Sequence, residues 1–141
     1  MDKEKLAELT AKVTKSYYIN YPENLIRGKN VFINYGFTCL SNEKVYIGDN
    51  VLIGPNVTIA TVYHDELEHK TNKFATVKIG NNVIIYMGSI ICPGVTIGEN
   101  SIIGAGSVVI EDIPANVLAA GNPCKPIRAV KTKDQLENER K

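Results

Sequence analysis

From Val77 to Asp112 the aliphatic residues return at every sixth place. In blocks of six the segment reads VKIGNN, VIIYMG, SIICPG, VTIGEN, SIIGAG and SVVIED. The third place is then Ile79, Ile85, Ile91, Ile97, Ile103 and Val109, and the sixth is Asn82, Gly88, Gly94, Asn100, Gly106 and Asp112. The same register holds upstream in VYIGDN, VLIGPN and VTIATV, with Ile47, Ile53 and Ile59 at the third place. A period of six fits neither an amphipathic helix nor a simple alternating strand. It fits a short strand followed by a turn, repeated, with one aliphatic of each six pointing inward. Gly and Asn suit the turn because they tolerate left-handed backbone angles that a branched residue resists. A hexapeptide period marks a β-solenoid, in which each coil buries its inward column on the coils above and below.

The flanks of the repeat predict further elements. Asp2 to about Ser16 reads as a helix, with Leu6, Leu9 and Val13 on one face and charged residues over the rest. Its expected role is an end cap that seals the solenoid edge. Tyr17 to Pro22 is a Tyr-rich connector. The repeat then begins imperfectly, with Ile33 and Cys39 in the inward column. The step from Cys39 to Ile47 is two residues too long, which predicts a bulge at a corner over Ser41 to Lys44. Between Ile59 and Ile79 the register breaks. Residues 62–76, VYHDELEHKTNKFAT, are polar and must leave the coil as a loop, and an ejected loop of this length is usually functional or mobile. Past Val109 the repeat fades through Pro114, Pro123 and Pro126, and the charged stretch Lys131 to Lys141 reads as a short helix or frayed tail. The expected organisation is a cap and connector over 1–22, a β-helix over 23–128 and a charged tail over 129–141.

Composition narrows the classes of partner. Net charge is +1, which argues against broad electrostatic capture of nucleic acid or of an acidic membrane. No apolar run is long enough to span a membrane, and the charged start MDKEK leads into no signal-peptide core. The three cysteines, Cys39, Cys92 and Cys124, show no paired spacing. An odd count without an export signal points to free thiols in a reducing cytoplasm.

The candidate chemistry lies mainly at the ejected loop. It holds both histidines, His64 and His69. His64 falls five residues past the inward Ile59, at the loop root, where the rigid coil beneath would hold it. Asp65, Glu66 and Glu68 are placed to orient its ring or raise its pKa. The spelling H-D-E-L-E-H lacks the i, i+4 spacing of a helical zinc pair and the chain has no third histidine, so no metal is expected. Cys39 and Cys92 read as small buried residues. Cys124, beside Lys125, reads the same way, with activation by the basic neighbour as the alternative. Lys125, Arg128, Lys131 and Lys133 form a loose basic group, either a solvated tail or a site for phosphate.

The segments IGDNVLIGPNVTI (47–59), IGNNV (79–83), CPGVTIGENSIIGAGSVV (92–109) and DIPANVLAAGNPCKPIR (112–128) resemble the maltose/galactoside O-acetyltransferases, the thiogalactoside and nodulation-factor branch of the hexapeptide acyltransferases. The likeness runs from about Tyr17 to Arg128. It implies a left-handed parallel β-helix, a hand that the crossover rule alone would not have given. It also implies a homotrimer and transfer of an acetyl group from acetyl-CoA to a sugar hydroxyl. By the resemblance His64 matches the catalytic histidine, a general base. Asn34 matches an Asn beside the acceptor that supports the oxyanion, and Asn42 falls where the family often has an acceptor-binding Asp. On the cofactor side Met87 and Ala105 match positions along the pantetheine path. Ile110 and Glu111 stand where the family has a Thr-Lys pair, and Lys125 and Arg128 match basic residues near the CoA phosphates.

The chain departs from the family pattern where Ile84 replaces a Trp and where Tyr86 and Met87 replace small residues. The expected function is therefore an acetyl-CoA-dependent O-acetyltransferase for a small hydroxylated acceptor, a sugar or glycoside, in the cytoplasm. The alternative is a catalytically silent trimeric scaffold with an eroded CoA site. Second-place aliphatics such as Ile84, Ile90 and Ile102 are expected to face outward and to be buried by threefold assembly.

Overall fold

A strand of two or three residues followed by a tight turn cannot pair with its own neighbour in sequence. It pairs instead with the equivalent strand one full coil away. In the computed structural model, which describes residues 2–140, this produces three parallel sheets that share the chain in rotation. The first sheet stacks Tyr18–Ile19, Thr38–Leu40, Thr58–Ala60, Ile90–Ile91 and Val108–Val109. The second stacks Leu25–Arg27, Val45–Ile47, Val77–Ile79 and Thr96–Ile97, extended by a bridge from Ile97 to Ile113. The third stacks Phe32–Ile33, Leu52–Ile53, Ile84–Ile85, Ile102–Ile103 and Val117–Gly121. The chain then turns back, and Cys124–Ala129 closes the third sheet as an antiparallel strand. The result is a parallel β-helix of about five turns.

The pairing registers place the third-place aliphatics on one another. Ile85 lies between Ile53 and Ile103, and Ile79 between Ile47 and Ile97. The inside of the coil takes more than this one column, however. Val45, Val51, Val57, Val77 and Val83, the first place of each six, are also fully buried. The expectation of one inward aliphatic per six is corrected to two, because residues i and i+2 of a strand share a face. Ser89, Ser101 and Ser107 occupy the same first place and are fully buried too. Each donates its hydroxyl to a backbone carbonyl: Ser89 to Tyr86 at 2.9 Å, Ser101 to Pro114 at 2.6 Å and Ser107 to Gly104 at 2.6 Å. A buried hydroxyl without such a partner would destabilise the coil.

The turns use left-handed backbone as expected. Asn30, Asn50, Asn82, Asn100 and Asn116 have φ between 56° and 63° at the corner between the second and third sheets. Asparagine tolerates this region because its short amide bonds locally, and here the amides also bond along the stack, Asn82 to Asn100 at 3.1 Å and Asn100 to Asn116 at 2.8 Å.

Helix α1 (Lys3–Thr14) begins at Asp2, whose carboxylate accepts from the Lys5 N–H at 2.7 Å. Of its apolar stripe only Val13 is buried, while Leu6 and Leu9 are 45% and 38% exposed. The helix meets the coil through its last turn alone. Tyr17 then carries the contact, donating to the Ile33 carbonyl and packing edge-on against Phe37 with ring centroids 5.7 Å apart. Helix α2 (Lys133–Glu139) has a reciprocal cap between Thr132 and Gln135. The two extra residues after Cys39 stand in the turn 41–44. The ejected segment is more ordered than a loop: Val62–His64 and Asn72–Phe74 form an antiparallel hairpin. No helix among the described residues is long and apolar enough to cross a membrane.

Candidate functional site

Irregularity in this solenoid is confined largely to one corner, between the first and second sheets. Three successive coils depart from the hexapeptide there: a 3-10 turn at Pro22–Asn24, the turn 41–44, and the hairpin. The hairpin is tied to the coil by Thr61, which is fully buried. Its hydroxyl donates to the Leu40 carbonyl at 2.8 Å and accepts from the Glu43 N–H at 2.9 Å, and its carbonyl accepts from Ala75 at 2.8 Å. The sequence reading passed over Thr61. The signal available was a lone hydroxyl residue where the period stops.

His64 ends the outgoing hairpin strand, paired across to Asn72. It is exposed and lines a hollow of about 340 Å³ with Tyr63, Asp65, Glu66, Leu67 and Lys73. Asp65 does not serve as its partner. The Asp65 carboxylate accepts from the N–H groups of Glu68 at 2.8 Å and Leu67 at 3.0 Å and pairs with Lys73 at 3.3 Å. Those bonds, the backbone ones first, hold its pKa below the ordinary value. Asp65 thus folds the hairpin tip, and His69 folds back as well, its Nε2 donating to the Glu66 carbonyl at 2.7 Å. The imidazole of His64 is left exposed, three residues beyond the anchored Thr61.

Asn42 stands one coil away at the same corner, half-buried, its Oδ1 accepting from Asn20 at 2.9 Å. Its remaining NH₂ is the group free to meet a ligand. Asn34 lies elsewhere, at the corner between the third and first sheets. Its Oδ1 accepts from the Tyr35 N–H at 2.8 Å, which fixes the amide and leaves Nδ2 as a donor. It lines a second hollow of about 230 Å³ with Phe32, Leu52, Gly54, Ile84 and Tyr86. Within one chain, therefore, His64 and Asn42 belong to the same corner on adjoining coils, although Asn42 does not line the hollow of His64, and Asn34 lies at a different corner.

Met87 and Ala105 share the corner of Asn34, on successive coils, with the Gly106 N–H donating to the Met87 carbonyl at 2.9 Å. Met87 is 55% exposed. Gly88 and Gly106 follow at φ 71° and 69°, a conformation that side chains resist. Ile110 and Glu111 are exposed at the far end of the coil, and Glu111 holds Lys125 at 2.9 Å. Arg128, on the same strand as Lys125, faces a hollow of about 510 Å³ against α2 and donates to the Ala129 carbonyl at 3.0 Å. Cys39 and Cys124 are buried as expected, while Cys92 is only half-buried. Burial pushes the Cys39 thiol up to about 11 and raises Cys92 and Cys124 as well, and the group that counters burial at Cys124 is the Ser107 hydroxyl rather than Lys125.

The second-place aliphatics do not all stand clear. Ile90 is exposed, while Ile84 and Ile102 are half-buried in a continuous outward column, Phe32, Leu52, Ile84, Ile102 and Leu118, on the third sheet.

Residues 76–111 match the family model described as bacterial transferase hexapeptide (six repeats), and residues 44–62 match the hexapeptide repeat of succinyl-transferase. The chain is 46% identical over 122 residues to the galactoside O-acetyltransferase of Escherichia coli, covering 84% of this chain and 60% of that protein. Among solved structures it resembles a maltose O-acetyltransferase from Clostridium difficile at 37% identity, with a TM-score of 0.79 over 94% of this chain and 80% of the other. It also resembles a galactoside acetyltransferase in complex with coenzyme A, at 45% identity and a TM-score of 0.80, covering 84% and 61%. The chain spans about 60% of the length of the first curated relatives it matches.

Proposed function

The chain belongs to the maltose/galactoside O-acetyltransferase family of hexapeptide-repeat proteins, whose left-handed β-helix it shares, and from that premise we propose that it transfers the acetyl group of acetyl-CoA to a hydroxyl of a small acceptor, a sugar or glycoside. The observation that carries the reading is His64, an unencumbered imidazole on a hairpin bolted to the coil through Thr61. In the proposed step His64 takes the proton of the acceptor hydroxyl as its oxygen attacks the thioester carbonyl. The Asn34 Nδ2 donates to the oxyanion of the tetrahedral intermediate. The carbonyl re-forms, the C–S bond breaks, and the CoA thiolate recovers the proton from His64. Met87, Ala105 and Ile110 would flank the pantetheine arm, with Lys125 and Arg128 toward the phosphates and Glu111 beside them. Asn42 would bind the acceptor.

His64 and Asn34 occupy separate corners, so a centre that uses both draws them from two copies of the chain. A homotrimer accordingly supplies the second copy. A cytoplasmic setting suits the donor and the three free thiols.

The test is acetyl transfer by His64→Ala, read as release of free CoA thiol, with light scattering alongside. The expected result is a loss of ~10²–10⁴-fold in kcat at unchanged assembly mass. Turnover within a few-fold of wild type would remove His64 from the chemistry. The second reading, a silent trimeric scaffold, draws on the Lys125–Glu111 pair, which places a carboxylate on a candidate phosphate ligand. Calorimetry decides it: absence of acetyl-CoA binding up to millimolar concentration would favour the scaffold.

A further inference from the structure

At the corner between the third and first sheets the fourth place of each six forms a column of its own. Asn34, Gly54, Tyr86 and Gly104 follow one another coil on coil: the Asn34 N–H donates to Ile53, the Gly54 N–H to Ile85 and the Tyr86 N–H to Ile103, at 2.9, 2.7 and 3.0 Å. Tyr86 therefore stands between two bare positions, with Gly54 on one side and Gly104 on the other. Gly54 is bare by necessity, since a Cβ there would come within 2.8 Å of the Met87 nitrogen and 3.2 Å of the Ile85 carbonyl oxygen.

The bare floor at Gly54 has a wall on each side, Asn34 and Tyr86. Two coil spacings put their backbones about 10 Å apart, so the gap between the amide and the phenol ring admits one ring of a ligand. The third-sheet flank of this hollow is apolar, made by Phe32, Leu52 and Ile84. Tyr86 is 47% exposed, neither packed into the core nor fully solvated. Met87 and Ala105 lie one residue further round, on the side of the first sheet, so the hollow adjoins the path assigned to the cofactor.

We propose that Tyr86 is a specificity-determining residue of the acceptor site, a stacking platform for the C–H face of a pyranose ring seated over Gly54 with its hydroxyl edge at the Asn34 amide. The C–H groups on one face of a pyranose carry partial positive charge and are drawn to the negative face of an aromatic ring. The apolar flank favours the same face, and the Asn34 Nδ2 supplies a donor for an acceptor oxygen. An acyclic polyol offers the same hydroxyls without a flat face and gains nothing from the ring. This inference rests on the acetyl-transfer reading above.

The experiment compares a methyl pyranoside and sorbitol as acceptors with acetyl-CoA, in the wild-type protein, Tyr86→Ala and Tyr86→Phe. Loss of a stacked ring is expected to raise the pyranoside KM about ten-fold in Tyr86→Ala. Tyr86→Phe keeps the wild-type KM, and neither the KM for acetyl-CoA nor the rate with sorbitol moves. A pyranoside KM unchanged in Tyr86→Ala overturns the assignment. So does a rise that falls on acetyl-CoA, which would place the ring on the cofactor path, or a fall in assembly mass by light scattering, which would place it in a subunit contact. Wild-type protein that acetylates neither acceptor overturns the acetyl-transfer reading and this one with it. Active wild type with an insensitive Tyr86→Ala overturns this one alone.

Discussion

Ile85→Ala is the sharpest probe of the stacked core. Ile85 is fully buried, with Ile53 one coil below and Ile103 one coil above in strict register. The substitution removes three buried carbon groups, about 2.4 kcal/mol at ~0.8 kcal/mol each. A cavity term adds to this, and its size depends on how far the walls can close. Here they close little. The coils on either side are pinned by the backbone bonds that flank the position, Tyr86 to Ile103 at 3.0 Å and Gly54 to Ile85 at 2.7 Å. The total is therefore expected in the upper part of the ~2–5 kcal/mol range for such truncations, about 4 kcal/mol. At roughly 3 °C per kcal/mol for a chain of this size, the melting temperature falls by ~12 °C. Thermal denaturation followed by circular dichroism at fixed protein concentration measures it, with Lys78→Ala, an outward residue between buried Val77 and Ile79, as the control. The control should move by less than about 0.5 kcal/mol. A loss below about 1 kcal/mol for Ile85→Ala would refute the claim that backbone ladders keep the column from relaxing.

Two further predictions concern charge. Glu111→Gln frees Lys125 from an exposed pair worth at most about 1 kcal/mol, so on the proposed role of Lys125 calorimetric CoA affinity should rise about two- to five-fold, and the gain should shrink in high salt; unchanged or weaker affinity would remove Lys125 from the proposed phosphate site. The Asp65 pKa is lowered in the folded hairpin, so its contribution is full above the unfolded value and is lost as pH falls through the folded one. The amides of Leu67 and Glu68 should accordingly keep their hydrogen-exchange protection at pH 5 and lose it below the ordinary carboxylate value of 3.8; loss of protection already near pH 6 would show that another group holds the tip.

Much of the fold is legible in the period of six, because the stacking of coils demands a branched aliphatic at the third place and a turn former at the sixth. The first place was harder to read. Valine there looks like ordinary strand composition, and Ser89, Ser101 and Ser107 look like surface until each hydroxyl is seen to meet a carbonyl. The hairpin was missed as a hairpin because its strands, VYH and NKF, carry almost no alternation. Asp65 and Thr61 hold it through backbone bonds that leave no hydrophobic trace. The stripe of α1 was legible but its burial was not, since only Val13 reaches the coil. For the candidate site, the place of His64 at a loop root could be read by counting from Ile59. That Asn34 occupies another corner could not, because the count of corners runs through the irregular turn 41–44.

This separation of core from corner bears on how such a site can change. The first and third places face inward and are answerable to packing, where a lost methylene is felt at once. The fourth and fifth places stand at the corners, where the stack asks only that the backbone pass closely. The backbone of the Tyr86 coil passes so close to Gly54 that a Cβ there would meet the Met87 nitrogen at 2.8 Å, whatever side chains positions 86 and 87 carry. Gly48, Gly80 and Gly98 meet the same demand at another corner, where a Cβ would approach the backbone nitrogens of Asn81 and Glu99 at 2.9 and 2.7 Å and that of Ala115 more closely still. The side chains of Tyr86 and Met87 point away from the stack, 47% and 55% exposed, so bulk at the fourth and fifth places is tolerated where it leaves that backbone passage clear.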